Sequence, residues 1–396
     1  MKKQTQAIHL EYERRDAYDS LSVPVYNTLA YEFDNAAVMA EAFTDKIKAP
    51  DYSRVENPTV TNLERRVAAL TDAAHATAFN SGMAAISNTL MALAAQGKNI
   101  VTSKHLFGNT YALLVATLRR FGVKVRLRDL TNIEAVREAI DDDTCCVFLE
   151  ILTNPQLEVA DLKAISEVAH EKNVPLVVDS TVIPFTQFSA KNLGVDIEVV
   201  SSSKYVSGGA TSLGGLVIDY GTPYNGDFAK RLYGEMLFNF GAYMTPQVAY
   251  MQTIGLETLD ARYRVQSGNA LELAKKLRTL PQIQYVNYVG LEDNPYHELA
   301  QRQFGKTAGA MICIDLESKE ACFSFLNNLK LIHRATNLFD NRSLAIHPAS
   351  TIFGAFSESM RKSMDVKDTT IRLSVGLEDV NDLFEDIKQA VEGIQK

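Results

Sequence analysis

The chain has 396 residues, of which 46% are hydrophobic and 22% charged, as is typical of a soluble globular protein. Its formal net charge is −8 and no tract of lysine and arginine stands out, so binding to nucleic acid or to a membrane surface is not expected. The first residues carry charges where a signal peptide needs an apolar segment, and no run reaches the ~20 apolar residues of a membrane-spanning helix.

Cysteine and histidine usage gives no sign of disulfides or of a metal centre. The four cysteines are Cys145, Cys146, Cys313 and Cys322, and none lies in a CxxC pair. We therefore expect reduced thiols in a cytoplasmic protein. The seven histidines show neither HExxH nor another metal-ligand spacing, so no metal site is predicted.

An extended N-terminal segment is predicted for residues 1–50, followed by a helix in "NPTVTNLERRVAALTD". Thr61 and Glu64 have the spacing of a capping box at the start of that helix. Three apolar residues fall on one helical face, which we expect to be buried: Leu63, Val67 and Leu70.

From residue 99 onward, short apolar runs alternate with amphipathic segments in an α/β pattern. The runs are "NIVTS", "VKVRLRDL", "CCVFLEIL", "VPLVVDST", "IEVVSSS" and "SLGGLVID". Because continuous apolar strands between helices are buried on both faces, they predict a mostly parallel sheet in a domain of residues 51–245.

Near residue 240 the pattern changes to one or two long helices. Strand candidates "IQYVNYV" and "AGAMICIDL" follow, with further helices at 319–330 and 379–394. This order predicts a smaller α+β domain over residues 246–396. No glycine-rich linker marks the join, which favours a long helix shared by both domains.

Nucleotide and hydrolase motifs are absent. Neither G-x-G-x-x-G nor G-x-S-x-G occurs, and the glycines near Lys204 follow it, whereas a Walker loop needs them before the lysine. The remaining features suit pyridoxal phosphate (PLP), which needs a lysine for a Schiff base, a carboxylate at its ring nitrogen and a phosphate cradle.

Three features meet these needs. Lys204 follows a buried strand in "VVSSSKYVSGG", and Asp179 ends the strand "VPLVVD", where α/β sheets bind ligands. Ser81 and Gly82 open an apolar helix whose N-terminus suits an anion. Each alone has an ordinary alternative: a solvated turn lysine, a cap after a strand, a common Ser-Gly helix start. Their combination in one α/β unit favours the cofactor site.

The ordered motifs of the chain resemble those of the Cys/Met-metabolism family of PLP-dependent enzymes. They include "YSRVENPTVTNLERRVAAL", "NSGMAAI", "LFGNTY", "TNPQLEVADL", "VVDSTVIP", "SSSKYVSGG", "SLAIHPAST" and "IRLSVGLED". The resemblance implies the α/β fold called PLP fold type I, with a mostly parallel seven-stranded sheet and a smaller α+β domain. It also implies a dimer at least, expected to pair into a homotetramer.

The resemblance implies a role for each matching residue. Lys204 is expected to bind PLP and move protons, Asp179 to pair with the ring nitrogen, and Asn154 to lie beside the phenolic oxygen. The expected phosphate contacts on the same subunit are Ser81, Gly82, Met83, Ser201 and Ser203. Those expected from the neighbouring subunit are Tyr52 and Arg54.

Two residues are expected on the substrate side. Arg372 in "IRLSVG" would hold the substrate α-carboxylate through its planar fork, and Asn337 lies in the loop before "LFDNRSL". Ordinary alternatives remain: a salt-bridged strand arginine for Arg372, a turn residue for Asn154 and a solvated loop arginine for Arg54.

Several positions depart from the common family pattern. Phe107 stands where most members have a tyrosine, so it keeps the stacking face on the cofactor but lacks the hydroxyl. Acetate leaves readily as an anion, so this favours an O-acyl ester substrate; the alternative is a tolerated change with reduced activity. Asn109 stands where methionine γ-lyases have a cysteine, and Asn337 is typical of the sulfhydrylase branch. Phe339 replaces a common glycine, which puts the carboxylate-side geometry in question.

The leading hypothesis is PLP-dependent γ-replacement by an O-acetylhomoserine sulfhydrylase, with sulfide or a small thiol as the second substrate. One alternative is cystathionine γ-synthase or a cystathionine or methionine γ-lyase. A PLP-binding homologue with little catalysis is another. The expected partners are small molecules and further copies of the chain.

Overall fold

The computed structural model describes residues 1–394 apart from 11–15, 45 and 307, so parts of the predicted terminal segments lie outside the described residues. The described residues form two β-sheets, one from residues 75–219 and the other from residues 285–374. The predicted boundary at residue 245 falls between the sheets, although the three-part division itself stays a prediction. None of the described helices is both long and apolar enough to cross a bilayer.

The larger sheet has seven strands: β1 (His75–Phe79), β2 (Asn99–Ser103), β3 (Lys124–Arg128), β4 (Thr144–Glu150), β5 (Leu176–Asp179), β6 (Ile197–Val200) and β7 (Gly215–Asp219). Their order is β1-β7-β6-β5-β4-β2-β3. Of these seven strands only β7 runs opposite to the others, so the prediction of a mostly parallel seven-stranded sheet is confirmed.

The smaller sheet has five strands: β8 (Tyr285–Asn287), β9 (Met311–Asp315), β10 (His333–Arg334), β11 (Leu344–Ile346) and β12 (Thr370–Ser374). They lie in the order β10-β11-β12-β9-β8, and all pairs except β10 with β11 are antiparallel. Together with its helices, this sheet gives the C-terminal part the predicted α+β character.

The α-helices are α1 (Lys3–His9), α2 (Ala36–Ala42), α3 (Pro58–Thr71), α4 (Gly82–Leu93), α5 (Gly108–Ala112), α6 (Ile133–Ala139), α7 (Leu162–Glu171), α8 (Phe228–Arg231), α9 (Phe238–Phe240), α10 (Pro246–Glu257), α11 (Leu259–Leu277), α12 (His297–Phe304), α13 (Lys319–Asn328), α14 (Glu358–Ser363) and α15 (Val380–Glu392). A π-helical segment, Leu232–Leu237, joins α8 to α9. The predicted long helical region is therefore two helices, α10 and α11.

The central strands carry apolar side chains on both faces of the larger sheet. In β5, Leu176 and Val178 point into one buried cluster, and Val177 points into the cluster on the opposite face. Each fully buried Leu or Val contributes roughly 1.5–3 kcal/mol relative to exposure. The continuous apolar runs of the sequence thus have the predicted cause, a sheet covered on both sides.

One helix start differs from the sequence prediction. Helix α3 begins at Pro58 and is capped by Asn57, whose side chain accepts a hydrogen bond from the Thr59 N–H. The predicted capping box was therefore wrong, and Glu64 instead accepts the Ala78 N–H at 2.7 Å. Proline at the first helical position favours this earlier start, because its missing N–H costs nothing there.

Helices α10 and α11 pack against the turn that follows β6. A Cβ on Gly255 would lie 2.0 Å from the Val206 carbonyl oxygen, so only glycine permits this close approach. Arg262 of α11 donates to the carbonyl oxygen of Tyr205 at 2.8 Å. The segment beside Lys204 is therefore held from the C-terminal side as well as from the sheet.

Candidate active site

Lys204 lies in the turn after β6, with backbone angles of φ −92° and ψ −116° that belong to no regular element. Its Nζ donates to Oδ1 of Asn337 at 2.6 Å. Partial burial and the positive charge of Arg372 lower the pKa of Lys204 to about 8. Roughly a tenth of the amine is therefore neutral near pH 7, in the form that acts as a nucleophile or base.

Arg372 lies on β12, and its side chain is buried. Nη1 donates to Oδ1 of Asn154 at 3.1 Å and Nη2 to the Asn337 carbonyl oxygen at 3.3 Å, while Nε has no partner. Within the described part of the chain, no carboxylate forms an ion pair with it. Burial lowers its pKa to about 10, so it stays charged near pH 7. A buried, uncompensated guanidinium with a free donor suits a carboxylate ligand.

Asp179 ends β5 as predicted and lies beside Glu150, the last residue of β4, in register. Oδ1 of Asp179 accepts the Thr181 N–H at 2.9 Å, and Oε1 of Glu150 accepts the Phe107 N–H. Burial raises the pKa of both carboxyls, and the nearby Asp179 charge contributes to raising that of Glu150 to about 8. Glu150 was not predicted, although its place at a strand end in "CCVFLEIL" gives the same signal as Asp179.

The start of α4 forms the candidate phosphate cradle. Ser81 caps the helix by accepting the Ala84 N–H at 3.1 Å, and helix geometry leaves the N–H groups of Gly82 and Met83 without partners inside the helix. A Cβ on Gly82 would lie 2.6 Å from Cβ and Oγ of Ser201, so glycine is required where α4 meets the end of β6. The structure therefore brings Ser81, Gly82 and Ser201 together, and their contact with a phosphate stays a prediction.

Ser201 and Ser203, two of the three predicted phosphate serines, differ in their surroundings. The Ser201 N–H donates to Oγ1 of Thr181 at 2.8 Å, which links it to the Asp179 turn. The Ser203 hydroxyl donates to the Gly214 carbonyl oxygen at 3.1 Å and accepts the Gly214 N–H at 2.9 Å. It thereby closes the glycine-rich loop, and its predicted phosphate contact stays a prediction.

Phe107 precedes α5 and is half-buried, with its N–H bound to Glu150. A Cβ on Gly108 would lie 2.7 Å from the Ile352 carbonyl oxygen, so this glycine lets the segment after residue 350 approach the Phe107 turn. The Met83 sulfur accepts from Thr110 of the same turn at 3.9 Å. The turn carrying Phe107 is thus tied to both the strand-end carboxyls and the phosphate cradle.

Tyr52 and Arg54 are not brought to Lys204 by any contact within this chain. Arg54 donates to the Phe238 carbonyl oxygen at 2.6 Å, and its guanidinium lies over the Tyr52 ring, 5.4 Å from the centroid. Both line a surface cavity of about 370 Å³ with Tyr31, Phe33, Met39, Phe43 and Phe238. This separation is the one expected if they serve the site of a second copy.

The assembled groups fit PLP. Lys204, with its lowered pKa, and the paired carboxyls lie at the ends of the neighbouring strands β4, β5 and β6. The start of α4, whose free N–H groups suit an anion, meets the end of β6 at Ser201. Arg372 adds a buried positive charge that lacks an anionic partner among the described residues. Sheet and donor set together define the class: PLP-dependent enzymes of fold type I.

Comparison with known proteins narrows the class. The model of the family described as Cys/Met metabolism PLP-dependent enzyme matches residues 4–392, and the chain belongs to this family. A crystal structure of an O-acetylhomoserine (thiol)-lyase from Campylobacter jejuni, described as putative, has a TM-score of 0.95 at 34% identity, covering 99% of this chain and 100% of that one. That structure holds N'-pyridoxyl-lysine-5'-monophosphate, an adduct of the cofactor with a lysine.

Two curated relatives differ in their reactions. The L-methionine gamma-lyase of Fusobacterium nucleatum subsp. polymorphum is 38% identical over 98% of both chains. The O-acetyl-L-homoserine sulfhydrylase of Corynebacterium glutamicum is 31% identical over 97% of this chain and 95% of its own. The chain is therefore a PLP-dependent enzyme of a family that carries out replacement and elimination at the γ-carbon.

Proposed function

We propose that the protein catalyses γ-replacement on an O-acylhomoserine. The substrates are O-acetylhomoserine and sulfide or a small thiol, and the products are homocysteine or methionine and acetate. The observation that carries the proposal is the 2.6 Å hydrogen bond from Lys204 to Asn337, because this asparagine is the sequence feature typical of the sulfhydrylase branch. Asn337 contacts the amine that reacts in this proposal, so a residue that differs between branches of the family is placed where it can affect the chemistry.

The chain's own residues bind and orient the cofactor in this proposal. PLP, when bound, supplies an electron-withdrawing ring that stabilises negative charge on the substrate carbons. The residues that would hold it are Lys204 at the aldehyde carbon, Asp179 at the ring nitrogen, Asn154 at the phenolic oxygen, Phe107 against the ring, and Ser81, Gly82, Met83, Ser201 and Ser203 at the phosphate. Tyr52 and Arg54 reach the phosphate from a second copy.

Lys204 and Arg372 act on the substrate. Arg372 binds the α-carboxylate with its free Nε and an Nη, which orients the Cα–H bond towards the Lys204 amine. A lysine pKa of about 8 suits an amine that must both take up and return a proton near neutral pH. Lys204 removes the Cα proton, assists loss of a Cβ proton, and returns protons after the thiol adds at Cγ.

Phe107 supports an ester substrate. Its side chain offers no proton to a leaving group at Cγ, and acetate leaves as a stable anion without one. A thiolate or cysteine leaving group has a higher proton affinity and gains more from an acid at this position. The phenylalanine therefore favours the acyl ester over cystathionine or methionine.

A γ-lyase is the second candidate, because the L-methionine gamma-lyase relative is 38% identical over nearly the full length. A homologue with little catalysis is the third, supported by Phe107 and Phe339. One incubation series separates the three. Holoenzyme is mixed with O-acetylhomoserine plus sulfide, O-succinylhomoserine plus sulfide, L-methionine, or cystathionine, and homocysteine, 2-oxobutyrate and the cofactor absorbance are followed.

The proposal predicts homocysteine from an acylhomoserine with little 2-oxobutyrate from methionine. Faster release of 2-oxobutyrate from methionine or cystathionine would overturn it in favour of a lyase. A cofactor absorbance that changes with none of the four amino acids would overturn it in favour of the weakly catalytic homologue.

Self-association belongs to the same proposal. Apolar side chains around the Tyr52 cavity are exposed in the single chain, with Phe43 at 60%, Phe240 at 56% and Leu29 at 64%. Exposed apolar side chains in the segments around Arg54 support a dimer that buries them, with pairs of dimers forming a tetramer.

A further inference from the structure

Phe339 has an unusual combination of backbone and side-chain environments. Its φ is +57°, in the left-handed region that disfavours residues with a Cβ, yet its side chain is fully buried. Such a backbone persists only where the surroundings hold it, and such residues cluster at functional sites. The contacts that hold Phe339 therefore indicate what its loop is built to do.

Two contacts hold Phe339. Its ring stacks on the Tyr205 ring at a centroid distance of 4.0 Å and an interplanar angle of 9°, and Tyr205 meets Tyr263 edge-on at 5.3 Å. Its N–H donates to Oγ of Ser374 at 2.7 Å. One end of the loop is thus fixed to the segment after β6 and to β12.

Asn337, two residues earlier, contacts the same two segments of the chain, the lysine turn and β12. Its Oδ1 accepts from Lys204, which precedes Tyr205, and its carbonyl oxygen accepts from Arg372, which shares one face of β12 with Ser374. The loop therefore forms two parallel connections between the lysine turn and β12. One runs through Phe339 and the other through Asn337.

We propose that Phe339 is a positioning residue, whose stack on Tyr205 sets the Asn337 side chain on Lys204 and the Asn337 carbonyl on Arg372. The proposal rests on the roles of Lys204 and Arg372 in the proposed function. The hydrogen bond of Phe339 goes to Ser374 and its ring contact to Tyr205, not to the amine of Lys204 or the guanidinium of Arg372. Phe339 acts through the loop, so its removal displaces Asn337 without removing any group that binds substrate.

The consequence can be measured without the cofactor. The Asn337 amide oxygen accepts a hydrogen bond from the charged ammonium of Lys204, and such a bond favours the charged form. Displacing the loop therefore lowers the pKa of Lys204 further. The neutral, reactive fraction of the amine near pH 7 then rises.

The test uses apo-protein of the full chain. Trace acetic anhydride is added at a series of pH values, and acetylation of the Lys204 peptide is quantified by mass spectrometry. Phe339→Gly removes the ring and accepts the positive φ, while Phe339→Leu keeps apolar bulk without the flat stacking face. Tyr205→Leu removes the other ring, and Phe304→Ala creates a comparable core defect in α12, where this ring packs edge-on against Phe188.

We expect the labelling midpoint to fall in Phe339→Gly, Tyr205→Leu and Asn337→Ala, and to stay unchanged in Phe304→Ala. A double Phe339→Gly/Tyr205→Leu variant should change no more than the larger single variant, because both remove one contact. In holoenzyme, Phe339→Gly should raise KM for the amino-acid substrate about 10-fold or more, the usual effect of losing a hydrogen bond to a charged group.

An unchanged midpoint in Phe339→Gly beside a shifted one in Asn337→Ala would overturn the positioning role. So would an equal shift in Phe304→Ala, because it would show general loosening of the fold. Phe339→Leu provides the measurement if the glycine variant does not fold. Because labelling needs no substrate, failure of the proposed γ-replacement would leave this result readable by itself.

Discussion

Glu150 and Asp179 end neighbouring parallel strands as partners in register, so the larger sheet holds two carboxyls side by side at its ligand-binding end. Glu150 is buried and holds the Phe107 N–H, while Asp179 holds the Thr181 turn that contacts Ser201. The two carboxyls therefore connect the turns that carry Phe107, Asp179 and Ser201, which are the predicted contacts of the cofactor's ring, ring nitrogen and phosphate.

The first prediction concerns the pH dependence of stability through Glu150. Its pKa is about 8 in the folded apo-protein and near the ordinary glutamate value when unfolded, so the folded state binds the proton more tightly. Its contribution to stability is therefore greatest below the unfolded pKa and is lost as pH rises towards 8. Glu150→Gln cannot ionise and its amide oxygen can still accept the Phe107 N–H.

We expect the Glu150→Gln variant to gain stability relative to the wild type between pH 5 and pH 8, by about 1–3 kcal/mol. Thermal unfolding of apo-protein across this range measures the effect, with Glu292→Gln as the reference for loss of an exposed carboxyl. A constant difference between variant and wild type at every pH would show that Glu150 is ionised throughout.

The second prediction concerns Arg372. Arg372→Lys keeps the positive charge but loses the planar fork and its contacts to Asn154 and Asn337. We expect KM for the amino-acid substrate to rise by about 10–100-fold, since a hydrogen bond to a charged group contributes ~1.5–3 kcal/mol. Steady-state kinetics measure this, and an equal loss with a substrate analogue lacking the α-carboxylate would contradict the assignment.

Arg302→Lys is the matched control, because Arg302 pairs with Asp161 at the surface and is itself mostly exposed. Exposed pairs contribute ~0–1 kcal/mol, so this variant should keep the wild-type KM. A KM change shared by both variants would indicate a general effect of arginine replacement rather than substrate binding.

The third prediction concerns the tyrosine hydroxyl that Phe107 lacks. Phe107→Tyr keeps the ring and adds a phenolic hydroxyl, which in our proposal lies near the leaving group, so it should help leaving groups that need a proton. We expect turnover of cystathionine or methionine to rise by about 10-fold or more relative to turnover of O-acetylhomoserine, at the lower edge of general acid catalysis. The ratio of the two kcat/KM values is the measurement.

Phe121→Tyr, at an exposed phenylalanine 61% accessible, controls for the added phenol. An unchanged ratio in Phe107→Tyr would show that the hydroxyl at this position has no part in leaving-group departure. The choice between ester and thioether substrates would then need another explanation.

The central strands of the larger sheet could be predicted from the sequence, because strands buried on both faces consist of continuous apolar runs. Strand β1 has no such run, and it takes its place by pairing with β7 instead. Strands β10 and β11 are two and three residues long, too short for a period to be visible. Likewise Asn57 capped α3 in place of Thr61 because Pro58 permits an earlier first turn.

Within the site, Lys204 and Asp179 were predictable because each directly follows or ends a buried strand. The Lys204–Asn337 contact was not, because 133 residues separate the two positions and no local pattern specifies their approach. The positive φ of Phe339 was also hidden, although a residue standing where relatives have glycine hints at such a backbone. Glu150 was missed despite carrying the same strand-end signal as Asp179.

The last prediction tests whether one site uses two copies of the chain. Lys204→Ala removes the amine that moves protons in our proposal and should lower kcat by about 10²–10⁴-fold, the range for loss of a catalytic acid or base. Arg54→Ala removes a phosphate contact that, in our proposal, serves the other copy. If so, a mixed dimer of the two variants contains one complete site, with Lys204 from one copy and Arg54 from its partner. Random pairing in an equal mixture should then restore about a quarter of wild-type activity after subunit exchange or co-expression.

Lys191→Ala, which removes a surface lysine paired with Asp72, should give no such complementation pattern because it is active alone. Mixtures no more active than the mean of the two single variants would place both residues in the site of the same chain.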